Sequence, residues 1–152
     1  MKRILLNGLV ACLTLVSLSA CTPDRQIRFA DGSTTQMSHW DGRKLVINYW
    51  ADWCAPCREE IPELNELHHA RVEHGLVVLG VNYDQLQGQD LLDDIAALQI
   101  EFPNLVVDPQ VEYGYERAQI LPMTVVIDEA RQVKSILVGP QTAASVLAAA
   151  AD

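Results

Sequence analysis

The amino-acid sequence predicts an α/β fold: a central mixed β-sheet with helices on both faces and an N-terminal β-hairpin. Three observations predict it. Near-continuous apolar runs at residues 44–50 and 76–81 have the composition of strands buried on both faces. Segments with apolar residues at helical spacing follow each run, so strand and helix alternate. A strand–turn–strand unit at 123–138 ends the alternation and brings antiparallel pairing into the sheet.

Each element has a local reason. Residues 26–30 and 34–37 read as two strands joined at Asp31-Gly32, a hairpin signal. Residues 44–50, with Leu45, Val46, Ile47, Tyr49 and Trp50, form a buried strand. A helix is expected over 55–73. It has Pro56 in its first turn, where a missing N–H costs nothing, and Pro62 further in, which should kink it. Ile61, Leu64, Leu67 and His68 share one face of that helix. A second buried strand follows at 76–81. Leu91, Leu92, Ile95 and Leu98 mark a helix over 88–99, and Phe102-Pro103 ends the unit. A short strand at 105–107 and a helix at 110–117 come next. Strands at 123–127 and 133–138 flank a turn at 128–131, and an Ala-rich helix over 141–151 closes the chain.

At 152 residues and 49% hydrophobic, the chain suits one domain. Eight Gly and seven Pro with no low-complexity tract exclude collagenous and disordered readings. The formal charge of −9 argues against a nucleic-acid partner, which needs basic surface against phosphate. Four cysteines (Cys12, Cys21, Cys54 and Cys57) are too few for a disulfide-built mini-protein.

Residues 1–20 are expected to be a secretory signal. Lys2 and Arg3 give a basic start, an apolar stretch follows, and Leu18-Ser19-Ala20 supplies small residues before Cys21. The apolar stretch is too short for a membrane span, and Asn7, Gly8, Thr14, Ser17 and Ser19 interrupt it. Leu18-Ser19-Ala20-Cys21 resembles a bacterial lipobox, which implies that Cys21 carries lipid and becomes the new N-terminus. Residues 21–25 would then be a lipidated tether of roughly 15 Å, and 26–152 the folded domain. Processing removes Lys2 and Arg3, leaving 132 residues at charge −11. It leaves Cys54 and Cys57 as free thiols in a compartment where disulfides form. The expected location is the bacterial cell envelope, facing the periplasm. Thr22, rather than Asp, follows Cys21. In enteric-type sorting this resembles an outer-membrane lipoprotein, but inner and outer membrane both stay open.

The chemistry lies in Trp53-Cys54-Ala55-Pro56-Cys57, where a strand gives way to a helix. A helix N-terminus presents unpaired N–H groups and a partial positive charge, and both favour thiolate over thiol. Cys54 is therefore the expected nucleophile, and one helical turn lets Cys57 reach it. Thiolate attack on a disulfide, a mixed disulfide and displacement by Cys57 follow, and the same steps run backwards oxidise a substrate. Cys54, Cys57, His69 and His74 also have a two-Cys two-His zinc spacing. Pro56 and the helix starting at the pair oppose it, and no metal is expected. A Cu(I)-binding module on the same two thiolates is a further alternative, weakly favoured by Met123.

The segment Val46-Ile47-Asn48-Tyr49-Trp50-Ala51-Asp52-Trp53-Cys54-Ala55-Pro56-Cys57-Arg58-Glu59-Glu60-Ile61-Pro62 resembles the thioredoxin superfamily. It is most similar to the membrane-anchored TlpA/ResA-like thiol–disulfide oxidoreductases, over about residues 40–139. The resemblance implies a thioredoxin-like fold, no cofactor, a protein disulfide as substrate and a thiol electron donor, membrane-bound or soluble. It implies reduction of protein disulfides, as in cytochrome c maturation or thiol maintenance, with a net oxidase as the alternative. By resemblance, Cys54 is the exposed nucleophile, Cys57 the resolving cysteine and Trp53 the aromatic beside them. Pro122 matches a cis-proline that frees the backbone of Leu121 to pair with a substrate chain.

Glu60 matches an acidic residue that raises a thiol pKa and relays protons, against a plain reading as a solvated Glu among Glu59, Glu63 and Glu66. Arg58, one turn after Cys54, either favours its thiolate or is simply solvated. Two departures stand out. Asn48 occupies a position where thioredoxin has a buried Asp, so proton transfer falls to Glu60 or water. Met123 follows Pro122 where a small hydroxyl residue is commoner, which would place a sulfur beside the substrate groove.

Overall fold

Strand β3 (Lys44–Trp50) is the middle of a five-stranded sheet in the computed structural model, which describes residues 24–151. The expected signal sequence and the lipid site Cys21 lie outside the described residues. The elements in chain order are β1 (Gln26–Arg28), β2 (Thr34–Gln36), a 3-10 turn (Met37–Trp40), β3, α1 (Ala55–His69), α2 (Arg71–His74) and β4 (Leu76–Asn82). Then come α3 (Gly88–Ala97), β5 (Asn104–Leu105), α4 (Gln110–Tyr113), β6 (Met123–Ile127), β7 (Val133–Val138) and α5 (Ala143–Ala150). The sheet order is β5-β4-β3-β6-β7. β3, β4 and β5 run parallel, whereas β6 is antiparallel to both β3 and β7. The sheet is thus mixed, as expected, with β1 and β2 forming a separate antiparallel pair.

Alternation along β3 builds two cores. Val46 and Trp50 join Cys54, Cys57, Ile61 and Leu64 of the α1 side, with Leu91 of α3 and Val146 of α5. Leu45, Ile47 and Tyr49 face the other way, onto Met37, Trp40 and Tyr113. Burying a side chain such as Leu64 fully is worth roughly 1.5–3 kcal/mol, so the apolar runs set which strands are central.

Several helices are shorter than their apolar spacing predicts, because backbone bonds end them locally. The expected helix over 55–73 divides at Ala70. There Arg71 Nη1 donates to the His68 carbonyl at 2.9 Å and competes for the last turn. The expected helix over 110–117 stops at Tyr113, since Gly114 takes the left-handed conformation at φ +70° and its N–H returns to Gln110. The helix expected over 88–99 ends at Ala97, followed by Gln99 at φ +55°. Thr142 caps α5 through a reciprocal box with Ser145, so that helix starts two residues later than 141. Strand β5 is 104–105 rather than 105–107, because the Val106 N–H turns to Arg28 of the hairpin. Ala30 N–H likewise donates to the Asn104 carbonyl at 2.8 Å, docking the hairpin on the sheet edge.

Gly80 in β4 has a packing reason. A Cβ there would lie 2.1 Å from Asn104 Oδ1, the atom that accepts the Trp50 indole N–H at 2.8 Å. No helix among the described residues is long and apolar enough to cross a membrane.

Candidate active site

β3 delivers the chain to the site. After Trp50 and the buried Ala51, the backbone turns and Cys54 becomes the N-cap of α1. Cys54 Sγ accepts the Cys57 N–H at 3.2 Å, the position in which a capping oxygen usually sits. Pro56 falls in the first turn, where no intrahelical donor is lost. Cys54 and Cys57 form a disulfide with Cα atoms 5.3 Å apart. Both cysteines are buried, Cys57 wholly and Cys54 with 4% exposure at the helix tip, so the exposed nucleophile that the resemblance implied for Cys54 is a nearly covered residue in the disulfide form.

Arg58 lies on the strand–helix turn: its guanidinium donates to the Asp52 carbonyl, with Nε at 2.8 Å. Arg58 stays solvent-exposed while it makes that contact. Trp53 is 58% exposed and leans outward. Its indole N–H donates to Asp84 Oδ2 at 2.7 Å, and its ring meets Tyr83 edge-on at 6.0 Å. Arg117 stacks its guanidinium 4.8 Å from the centre of the Tyr83 ring and donates to the Tyr83 carbonyl. The sequence reading missed Tyr83, Asp84 and Arg117, since nothing local marks residues 30 to 64 positions away as neighbours of Trp53.

Behind the cysteines lies a buried polar cluster. Glu60 is 1% exposed, which overturns its reading as one solvated Glu among several. Its Oε1 accepts from Asn48 Nδ2 at 2.6 Å and its Oε2 from the Gln141 N–H at 2.8 Å. Burial pushes the Glu60 carboxyl up to about 7, against the opposing pull of those two hydrogen bonds. Asn48 Nδ2 also donates to Thr124 Oγ1 at 3.0 Å, and both residues are fully buried. Thr124 was missed by the sequence reading. It sits opposite Asn48 only because β3 and β6 pair in that register.

Met123 corrects another expectation. It is buried opposite Tyr49, in the core on the far side of the sheet from α1, not beside a groove next to the cysteines. Period-2 alternation gives the α1 side to Thr124 instead. The Leu121–Pro122 bond is cis, as the family resemblance implied. Leu121 packs against both cores, and the Pro122 carbonyl accepts the Gly139 N–H at 2.9 Å. For the zinc alternative, α1 carries His69 twelve residues beyond Cys57, a rise of about 18 Å, too far for one tetrahedron. No cluster of three or more potential metal ligands occurs among the described residues.

A family model described as the AhpC/TSA family matches residues 19–136. The chain belongs to the AhpC/TSA family. A thiol-disulfide oxidoreductase ResA from Geobacillus kaustophilus is 30% identical over 133 residues, covering 85% of this chain and 74% of its own length. The pneumococcal exposed lipoprotein thioredoxin Etrx1 from Streptococcus pneumoniae superposes with a TM-score of 0.66 at 25% identity, covering 82% of this chain and 96% of that one. A secreted thiol-disulfide isomerase from Corynebacterium glutamicum superposes with a TM-score of 0.67 at 25% identity, covering 84% and 81%. This AhpC/TSA family member has a thioredoxin-like fold, and its class is thiol–disulfide oxidoreductase.

Proposed function

We propose that this protein is an exported, lipid-anchored thiol–disulfide oxidoreductase that reduces protein disulfides through Cys54 and Cys57. The observation that carries the redox chemistry is the Cys54–Cys57 disulfide at the start of α1, with Cys54 at the N-cap. In the reduced protein the Cys54 thiolate attacks one sulfur of a substrate disulfide, and the other sulfur leaves as a thiolate. Cys57 then gives up its proton and attacks Cys54 Sγ. This releases the second substrate thiol and closes the Cys54–Cys57 disulfide. Two electrons pass to the substrate, and a thiol electron donor restores the pair. Glu60, three residues after Cys57 on α1, is the buried base positioned to take the Cys57 proton. Trp53 and the Leu121 backbone present the surface on which a substrate chain lies.

Anchoring rests on the lipobox-like Leu18-Ser19-Ala20-Cys21, with a tether at 21–25 and the thioredoxin-like domain at 26–152. The likeness to an exposed lipoprotein thioredoxin supports it, as does the likeness to a secreted isomerase for envelope location. Cytochrome c maturation or thiol maintenance would use such a reductant.

Trapping tests the reading. Cys57→Ser should freeze a mixed disulfide on Cys54, and mass spectrometry would name the substrate. Cys54→Ser should trap none. Trapping through Cys57 alone would reverse the roles. A couple potential near about −120 mV, that of a strong dithiol oxidant, would replace reductant with oxidase. Membrane fractionation with a Cys21→Ser control checks the anchor.

A further inference from the structure

A buried carboxyl that must be both ionised and protonated needs a partner that can donate and accept. Asn48 and Thr124 are such partners. In the structure Asn48 Nδ2 makes two hydrogen bonds, to Glu60 Oε1 and Thr124 Oγ1, while the buried Asn48 Oδ1 makes none. An unpartnered buried acceptor is unusual and costs free energy. Turning the amide over exchanges the two ends. Oδ1 would then accept from a protonated Glu60 and from the Thr124 hydroxyl, and Nδ2 would be the end left without a partner. Each orientation makes two bonds and strands one end, so the amide itself prefers neither strongly. A hydroxyl such as Thr124 accepts in one state and donates in the other.

We propose that Asn48 and Thr124 are positioning residues for Glu60, and that the Asn48 amide turns over as Glu60 gains or loses its proton. An apolar residue at position 48 would serve neither state. Around Glu60 the other ionisable groups are few. On its own helix Arg58, Glu59, Glu66 and His69 are exposed and His68 is half-buried, Cys57 is tied to Cys54 in the disulfide, and Glu63 accepts the Ala143 N–H at 2.9 Å. β3 and β6 present Asn48 and Thr124, while β4 and α5 have no ionisable side chain. The elevated proton affinity of the carboxyl agrees with a proton held and released near neutrality.

The proposal takes its purpose from the redox reading, but its test is separate from it. The full-length protein, oxidised so that neither cysteine titrates, is labelled in Glu carboxyl carbon and Asn side-chain nitrogen and solubilised in detergent. Across pH 5 to 9 the Asn48 amide signals should move with the same midpoint as the Glu60 carboxyl. Asn48→Leu should raise that midpoint by about one unit, because the ionised form loses the stronger hydrogen bond. Thr124→Val should uncouple the Asn48 signals from the Glu60 titration, and Thr124→Ser should restore the coupling. Asn48 signals that stay flat while Glu60 titrates would overturn the proposal. So would Thr124→Val and Thr124→Ser behaving alike. A coupled titration with a failed Cys57→Ser trap would remove the redox reading and keep the positioning pair, and the reverse pattern would do the opposite.

Discussion

Glu60 Oε2 accepts the backbone N–H of Gln141 at 2.8 Å, tying the first half of α1 to the loop between β7 and α5. One residue pair thereby joins the helix that holds the cysteines to a loop that also buttresses Pro122 through Gly139. The joint is made by a carboxyl whose charge changes near neutral pH, so it has consequences for stability.

Stability should fall as pH rises through the interval set by Glu60. Its carboxyl titrates at about 7 when folded against an ordinary value of 4.5. Between those values the folded protein keeps a proton that the unfolded chain has released, so rising pH favours unfolding. The loss is complete above about 7 and amounts to about 3 kcal/mol, at 1.36 kcal/mol per unit. Urea melts of the oxidised protein at pH 5 and pH 8 check it. Glu60→Gln should be nearly flat over that interval, and parallel slopes in the two proteins would count against the assignment.

Gly80→Ala should destabilise the fold by about 1–3 kcal/mol through overpacking. The added Cβ meets Asn104 Oδ1, which is locked to the Trp50 indole and cannot yield without breaking that bond. Thermal melts of Gly80→Ala, Asn104→Ala and the double variant would show the coupling. The double variant should be less unstable than the sum of the singles, and simple additivity would exclude the contact as the cause.

Thr142→Ala should cost about 1 kcal/mol, the usual value of an N-cap. Thr142 Oγ1 accepts the Ser145 N–H at 3.1 Å, while Ser145 Oγ accepts the Thr142 N–H at 3.0 Å. Thr142→Ser should keep most of the stability in chemical denaturation. An equal loss in both variants would mean that the cap is not what the residue supplies.

Asp84→Ala should leave stability within about 0.5 kcal/mol, because the Trp53–Asp84 bond is exposed. Exchange with a protein disulfide should slow several-fold while reaction with a small aromatic disulfide is unchanged, since only a large substrate would lie against the Trp53 ring. Stopped-flow Trp fluorescence on both substrates is the measurement. Equal rates with the protein substrate would deny Trp53 a docking role.

Much of this protein was legible in its residues alone. Apolar runs identified β3 and β4 to within a residue, because strands buried on both faces cannot hide among polar neighbours. The Cys54–Cys57 spacing marked the redox pair, because one turn of helix is the whole distance it must close. Contacts between distant segments were not legible. Thr124 meets Asn48 through strand register, Trp53 meets Asp84 across 31 residues, and Glu60 is buried because α5 and its loop close over it. Local sequence carries periodicity and motif spacing, which act within a few residues. Register, the covering of a helix face and the desolvation of a carboxyl depend on segments far apart in the chain, and only the folded packing decides them.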